Sequence, residues 1–137
     1  TYQMMEAYWP TAADKPNPSK HDIEHSAWYS KVSKVVLSKK LSKTGLKNTQ
    51  VISDNLFENI TKLKQQPGKN ILIFGSPGAS HALHSIGVID EYWIFVNPIL
   101  MGEGIPLFKN IQGQVKLKFL ESITFVSGVV ALHYRKA

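Results

Sequence analysis

The fold is decided by residues 74–108, FGSPGASHALHSIGVIDEYWIFVNPILMGEGIPLF, which predict a glycine turn, a helix, a strand and a glycine-rich loop in that order. The run NILIF at 70–74, leading into the turn, is apolar without alternation, as in a strand buried on both faces of a parallel sheet. YWIFV at 92–96 predicts a central strand. The helix between them places these apolar residues on one side: Ala79, Ala82, Leu83 and Ile86. A buried strand that leads through a glycine turn into a helix is typical of a nucleotide site.

Three further helical segments are predicted before residue 70. Residues 2–8 favour a short helix that ends before Pro10, and residues 11–20, rich in proline, favour a surface loop. Residues 22–31 favour a helix that buries Ile23, Ala27 and Trp28. Asp54 is the predicted cap of the third helix, whose apolar residues recur at helical spacing until Pro67 and Gly68: Leu56, Phe57, Ile60 and Leu63.

The predicted strands change character along the chain. Short strands are expected at 35–37 and 49–52, between the helices. In the last third, strands follow one another without helices, at 115–119, 123–126 and 129–134, with Ser127 and Gly128 as a hairpin turn. The sequence therefore predicts an α/β fold with a mixed, mainly parallel sheet flanked by helices and an antiparallel C-terminal edge, forming a single domain over residues 1–137.

Composition narrows the class of protein. The chain has 43% hydrophobic and 19% charged residues, which is typical of a globular domain. The absence of cysteine excludes disulfides and thiolate metal sites and fits a cytoplasmic protein. No apolar run approaches the roughly 20 residues of a membrane helix. The net charge of +6 favours anionic partners, which include both nucleic acids and phosphorylated cofactors.

The glycine turn is the first candidate binding site. Backbone N–H groups of Gly75, Ser76, Gly78, Ala79 and Ser80 would point to one spot at the start of a helix, where the helix dipole favours an anion such as a diphosphate. Pro77 near the first helical position loses no useful hydrogen bond. The spacing differs from G-x-G-x-x-G, so a purely structural turn between strand and helix stays open as the alternative.

A second candidate anion site follows the strand at 35–37. Ser38, Lys39 and Lys40 stand directly after this strand, and a hydroxyl with two ammonium groups suits a ribose 2′-phosphate. If the strand neighbours the glycine turn, both open on one crevice. The alternative is a solvated lysine loop, which is the commoner setting for lysines in a basic protein.

Four segments together resemble a known family: TYQMMEAYWP at 1–10, VVLSK at 35–39, residues 71–108 and VVALHYRK at 129–136. They are similar to the dihydrofolate reductase-like family typified by the C-terminal reductase domain of the riboflavin-biosynthesis deaminase/reductase, the RibD C-terminal type, and in particular to its stand-alone bacterial members. The most specific parts are GVIDE at 87–91, at a fixed interval after the glycine turn, and the loop at 98–108. The resemblance covers nearly the whole chain.

The resemblance implies a dihydrofolate reductase-like three-layer fold and an NADPH-dependent reductase. By it, Gly75, Ser76, Pro77, Gly78, Ala79 and Ser80 hold the diphosphate of NADPH. Ser38 and Lys39 approach the 2′-phosphate, and Thr1 ends a turn that also touches phosphate. Relatives of this kind commonly form homodimers, and residues 92–99 leading into the Gly102 loop are the expected interface.

Two departures from the family pattern bear on mechanism. Many relatives carry a glycine pair where this chain has Gly75 and Ser76. Family members also begin with a strand, a helix and a second strand that line the pocket for substrate and nicotinamide, and none of these precedes Thr1. We therefore assign no catalytic residue from the sequence, and we hypothesise that the chain is the remainder of a longer protein.

Histidines raise two further possibilities. His21, Glu24 and His25 match H-x-x-E-H, a zinc-peptidase pattern, but no third ligand is evident and a solvated helix end is the better interpretation, so no metal is expected. His81 and His84 fall in the helix after the glycine turn. One of them could contact a cofactor, although helix-surface positions are the simpler interpretation.

Two classes of function remain. The first is an oxidoreductase that passes a hydride from NADPH to a small heterocyclic, pterin- or pyrimidine-like substrate, similar to 5-amino-6-(5-phosphoribosylamino)uracil reductase or to dihydrofolate reductase. The second is a non-catalytic module that binds a nucleotide or nucleic acid. Basic and aromatic residues do not interleave on one predicted strand as an RNA platform requires, which disfavours nucleic acid as a partner. No membrane partner is expected.

Overall fold

The computed structural model describes residues 1–41, 45–109 and 111–137, and these fall into two compact units, Thr1–Asn59 and Ile60–Ala137. Parallel and antiparallel sheets are both present together with helices, so the predicted α/β class is confirmed. Among the described residues, no helix has the length and apolar character needed to cross a membrane.

The first unit combines helices with a parallel strand pair. Helix α1 covers Tyr2–Tyr8 and is followed by a 3₁₀ helix at Trp9–Asp14, and α2 covers Lys20–Lys31. Strands β1 (Lys34–Leu37) and β2 (Thr49–Ile52) pair in parallel along their full length. The predicted helices at 2–8 and 22–31 and both predicted strands are therefore present. The predicted loop at 11–20 is wrong in its first part, because the 3₁₀ helix continues to Asp14. Pro10 does not end this helix, since it lies in the first turn, where the fixed φ of proline is favourable.

Helix α2 begins at a capping box. The Ser19 hydroxyl accepts a hydrogen bond from the backbone N–H of Asp22 at 3.1 Å, and the Asp22 carboxylate accepts one from the Ser19 N–H at 2.9 Å. These two bonds satisfy backbone donors that the first turn of a helix leaves without intrahelical partners. They fix the start of the helix just after the proline-rich segment.

The buried face of α2 differs from the predicted one. Ile23, Ala27 and Trp28 are exposed, and the buried residues are Ser26 and Tyr29. Tyr29 determines this orientation because its O–H donates to Glu6 at 2.7 Å, so the ring is buried while its polar end stays bonded. Burial raises the pKa of Tyr29, and the hydrogen bond to Glu6 raises it further. The phenol therefore remains a donor.

Helix α3, Leu56–Lys64, carries the chain from the first unit into the second. The second unit then contains α4 (Pro77–Ser85), β3 (Glu91–Val96), β4 (Leu117–Thr124) and β5 (Val130–Lys136). The three strands form an antiparallel sheet in the order β3-β5-β4. The C-terminal strands are antiparallel, as predicted. The two strands expected at 115–119 and 123–126 are instead one strand, Leu117–Thr124, with an irregularity between Phe119 and Glu121.

The hairpin between β4 and β5 turns where the sequence predicts. The N–H of Phe125 donates to the Val129 carbonyl, and the N–H of Gly128 donates to the Phe125 carbonyl, both at 2.9 Å. Gly128 has φ +85°, a left-handed conformation that glycine adopts without steric cost. The turn chemistry at this position therefore fixes the register of the hairpin.

Two predictions about strands are wrong. Residues 70–74 belong to no strand ladder among the described residues, and Ile71, Leu72 and Ile73 are 39–60% exposed. Within the described part of the chain β3 pairs with β5 alone, so 92–96 lies at an edge rather than in the centre. In both cases the apolar pattern indicates suitability for burial, whereas the number of neighbours depends on distant parts of the chain.

One side-chain cluster ties the three strands together; we call it the His133 cluster, comprising His133, Glu91, Glu121 and Trp93. The His133 Nε2 lies 3.0 Å from a Glu91 oxygen and Nδ1 lies 3.2 Å from a Glu121 oxygen. Its ring stacks on the Trp93 indole with centroids 4.1 Å apart. Desolvation lowers the pKa of His133, but the hydrogen bonds to Glu91 and Glu121 outweigh it and raise the pKa overall. Since ionised carboxylates only accept hydrogen bonds, both ring nitrogens donate and the imidazolium form is favoured.

Candidate functional site

The predicted glycine turn leads directly into the N-terminus of α4. Gly75 has φ +50°, a left-handed conformation, and Ser76 is the N-cap of α4 with Pro77 in its first turn. The Ser80 N–H donates to the Ser76 carbonyl at 2.9 Å and so begins the helical ladder. The N–H groups of Gly78 and Ala79 precede this first bond, in the part of a helix that has no intrahelical partner.

Space around the turn is open. A Cβ built on Gly75 or on Gly78 would meet no atom within 4 Å. The Ser76 side chain makes no capping hydrogen bond to the helix, so the N-terminal N–H groups are not occupied by the residue that usually caps them. Backbone donors, the positive end of the helix dipole and room for a close approach therefore coincide at this point, which is what an anionic oxygen requires.

Helix α4 is anchored at three further points. Leu83 is buried, with 7% exposure. The His81 Nε2 lies 2.9 Å from the Pro106 carbonyl oxygen, which ties the first half of the helix to the loop at 102–108. At the other end the Gly87 N–H donates to the His84 carbonyl at 2.9 Å and closes the helix. These contacts hold the middle and the C-terminal end of α4 and leave its N-terminus free of them.

His84 makes a side-chain contact that the sequence did not indicate. Its Nδ1 lies 2.7 Å from the Tyr92 hydroxyl on β3. Burial raises the pKa of Tyr92, and the nearby Asp90 carboxylate adds to the rise, so the phenol stays protonated. The two histidines of α4 are therefore bound to protein groups, one to a loop carbonyl and one to a phenol. His84 and Tyr92 are eight residues apart, on a helix and on the strand after it, and this spacing does not by itself predict a contact between them.

The second predicted anion site lies at the end of β1. The Ser38 N–H donates to the Ile52 carbonyl at 3.0 Å, which extends the β1–β2 pairing by one residue. The Ser38 hydroxyl accepts from the N–H groups of Lys40 and Leu41 at 3.2 and 3.1 Å, and this folds the lysine segment into a turn. Lys39 and Lys40 are exposed. Ser38 and two exposed lysines are thus adjacent in one turn of the first unit.

Thr1, the third predicted phosphate contact, stands at the start of α1. Its carbonyl accepts from the Met5 N–H at 3.0 Å, and its side chain makes no cap hydrogen bond. Thr1 is exposed, as are the two lysines after β1, and all three belong to the first unit.

The H-x-x-E-H residues lie in an aromatic cluster. His25 packs against Trp9 with ring centroids 4.0 Å apart and against Trp28 at 5.0 Å, and His21 lies 5.2 Å from His25. Burial lowers the pKa of His25, and the neighbouring His21 lowers it further. Among the described residues, no group of three or more His, Asp or Glu could hold a metal ion. Ring packing accounts for the two histidines.

Comparison with known proteins places this geometry in a family. A family model described as the RibD C-terminal domain matches residues 2–131. Two proteins of Bacillus subtilis (strain 168), both named as uncharacterized, are similar to this chain: YyaP, 37% identical over 83 residues, and YwjB, 37% identical over 76 residues. These matches cover 61% and 56% of this chain and 44% and 43% of the relatives, so the matched region spans less than half the length of either relative.

Two crystal structures share the fold. A protein of Shewanella sp. PV-4, which its name assigns to riboflavin biosynthesis, superposes with a TM-score of 0.62 and 20% identity over 90% of this chain and 85% of that one. A pyrimidine reductase-like protein of Corynebacterium diphtheriae superposes with a TM-score of 0.56 and 17% identity over 75% of this chain and 50% of that one. The predicted dihydrofolate reductase-like fold of the RibD C-terminal type is thereby confirmed.

Proposed function

Since the chain belongs to the RibD C-terminal domain family, we propose that it is a reductase that transfers a hydride from NADPH to a small heterocyclic, pterin- or pyrimidine-like substrate. The observation that carries this proposal is the open turn at Gly75–Ser80 at the start of α4. The name of the Corynebacterium protein favours a pyrimidine over a pterin.

The residues of this chain would bind and orient the cofactor. The N–H groups of Gly78 and Ala79 would donate to the diphosphate, whose charge the N-terminus of α4 stabilises. Ser38 and Lys39 would bind the 2′-phosphate that distinguishes NADPH from NADH, and Thr1 would add a hydroxyl contact to phosphate. Bound NADPH supplies the hydride, so the protein has to supply position and electrostatic stabilisation. We assign no catalytic acid.

Thermal unfolding with and without cofactor tests the proposal. At about 100 times its Kd a ligand stabilises the folded state by about 2.7 kcal/mol, so NADPH should raise the Tm well beyond what NADH achieves. In the G78A variant a methyl group enters the open space of the cradle, and we expect NADPH to bind about tenfold more weakly. G68A is the matched control, because a Cβ at Gly68 also meets no atom within 4 Å. Equal NADPH affinity in both variants would contradict a cradle at α4.

The 2′-phosphate contact has its own test. K39Q should weaken NADPH about tenfold and leave NADH unchanged, because only NADPH carries the group that the ammonium binds. K47Q removes another exposed lysine from the same unit and should alter neither affinity. If K39Q and K47Q have the same effect, Lys39 acts only through the overall charge. Binding of random oligonucleotides at physiological salt without any NADPH effect would favour the non-catalytic module instead.

We also propose that the protein is a cytoplasmic homodimer in which β3 meets the partner. Trp93, Phe95 and Ile99 are 42–70% exposed, which leaves an apolar surface along the edge strand of the sheet. F95K should shift sedimentation toward the monomer. F119K is the matched control, because Phe119 is 53% exposed in the same sheet but contacts Tyr134 on the other face. A monomeric parent protein would exclude this assembly.

A further inference from the structure

A cavity of about 390 Å³ lies within the second unit, beside the C-terminal end of α4. Its walls come from the last turn of α4, the beginning of β3 and the segment that leads into β4: His84, Tyr92, Phe108, Ile111, Gly113, Gln114, Val115, Lys116 and Leu117. Pockets of about 300–1,000 Å³ are the size that small molecules occupy. The cavity is therefore large enough for a ligand with one or two rings.

One wall of the cavity is built from rings. Tyr92 and Phe108 meet edge to face with centroids 5.9 Å apart, and His84 lies 6.0 Å from each of them. Val115 and Leu117 add aliphatic surface. Rings prefer offset or edge-to-face contact with other rings, so this wall favours a flat aromatic ligand over a sugar or a free phosphate.

The hydrogen bond between His84 and Tyr92 leaves a donor for a ligand. The neutral imidazole carries one N–H and the phenol one O–H, and only one of these two hydrogens is used in the 2.7 Å contact between them. Whichever group donates, the other hydrogen remains. The Gln114 amide adds both a donor and an acceptor to the lining.

The lining residues include a cation and no acid. Lys116 is one of them, and none of the described lining residues is Asp or Glu. A carboxylate on the ligand would meet Lys116 and the remaining His84 or Tyr92 hydrogen without repulsion from a lining carboxylate. An uncharged ligand of the same shape would forgo the charge-assisted bond.

We propose that this cavity binds a small aromatic carboxylate at a site separate from the cofactor cradle. His84 follows Pro77 by seven residues, which corresponds to about 10 Å along a helix axis, so the cavity adjoins the opposite end of α4 from the glycine turn. Lys116 binds the carboxylate, the ring pair of Tyr92 and Phe108 binds the aromatic body, and the His84–Tyr92 pair fixes the orientation.

Calorimetric titration with indole-3-carboxylate tests the proposal, with indole-3-carboxamide as the uncharged analogue of the same shape. The acid should bind saturably to the parent protein and about tenfold more weakly to K116Q, whereas the affinity of the amide should be the same in both. K118Q is the matched control, since Lys118 is an exposed lysine two residues further along that does not line the cavity. Y92F should weaken both probes, because it removes the phenol from the pair.

Three results would overturn the site: acid and amide binding equally to the parent, K118Q weakening the acid as much as K116Q, or no saturation by the acid. Competition between indole-3-carboxylate and NADPH would also overturn it, because the probe would then occupy the cofactor cradle. Unchanged NADPH binding in K116Q would support two separate sites, and this readout keeps failure here distinct from failure of the proposed reductase function.

Discussion

The glycine turn and the His133 cluster both lie in the second unit, but they are built at very different sequence distances. The turn needs only six neighbouring residues, Gly75–Ser80, and offers backbone N–H groups in open space. The His133 cluster joins residues 12 and 42 positions apart and uses each of its ring nitrogens. A region that completes its bonds internally stabilises the fold, whereas one that leaves donors open is available to a ligand.

The largest expected effect is the loss of stability on removing the buried side chain that anchors α4, the helix after the turn. L83A removes a buried side chain and should lower the free energy of unfolding by about 2–5 kcal/mol, through lost contacts and a residual cavity. L72A, at a position that is 60% exposed, should change stability by less than about 0.5 kcal/mol. Urea unfolding measures both. A loss in L72A as large as that in L83A would mean that the apolar run before the turn is buried in solution.

A smaller effect separates the two glycines of the turn. G75A places a Cβ at φ +50° and should destabilise the protein by about 1–2 kcal/mol. G78A lies within α4 at an ordinary φ and should stabilise it by about 0.5–1 kcal/mol, because alanine loses less backbone entropy than glycine in a helix. Thermal unfolding should therefore show a lower Tm for G75A and a higher Tm for G78A. Changes of Tm in the same direction would contradict the distinction between a turn glycine and a helix glycine.

The smallest expected effect is the pH dependence of the His133 cluster. The folded-state pKa of His133 is raised above its unfolded value of about 6.5, so its contribution is fully present below about pH 6.5 and is lost as pH rises through the folded pKa. His25 has a lowered pKa and acts in the opposite direction. The informative quantity is therefore the Tm difference between the parent and H133Q, which should shrink from pH 6 to about pH 9. A constant difference would show that the imidazole contributes only by packing.

The sequence predicted features built from adjacent residues better than features that join distant parts of the chain. Turns, caps and helix starts depend on a few adjacent residues, which is why the glycine turn, the Gly128 hairpin and α4 were predicted correctly. Strand neighbours depend on distant segments. The apolar patterns at 70–74 and 92–96 indicated burial without showing what would cover them, and one lies outside any described ladder while the other lies at an edge.

Side-chain pairs were the least predictable part of the candidate sites. The Tyr29–Glu6 bond that orients α2 and the His84–Tyr92 bond beside the cavity each join different elements. Their residues are common on ordinary helices and strands, so no local pattern distinguishes them. The NADPH contacts of Thr1, Ser38, Lys39 and the glycine turn rest on local chemistry and family resemblance, and they stay predictions until cofactor binding is measured.

The exposed run at Ile71–Ile73 has a consequence for handling the protein. An apolar segment of isoleucine and leucine with accessible side chains is a template on which a strand of another copy can pair and extend into a fibril. Lys69, two residues before the run, is the sort of charged residue that opposes such stacking. Solubility should therefore depend on concentration and salt, and L72K should keep the protein dispersed where the parent precipitates.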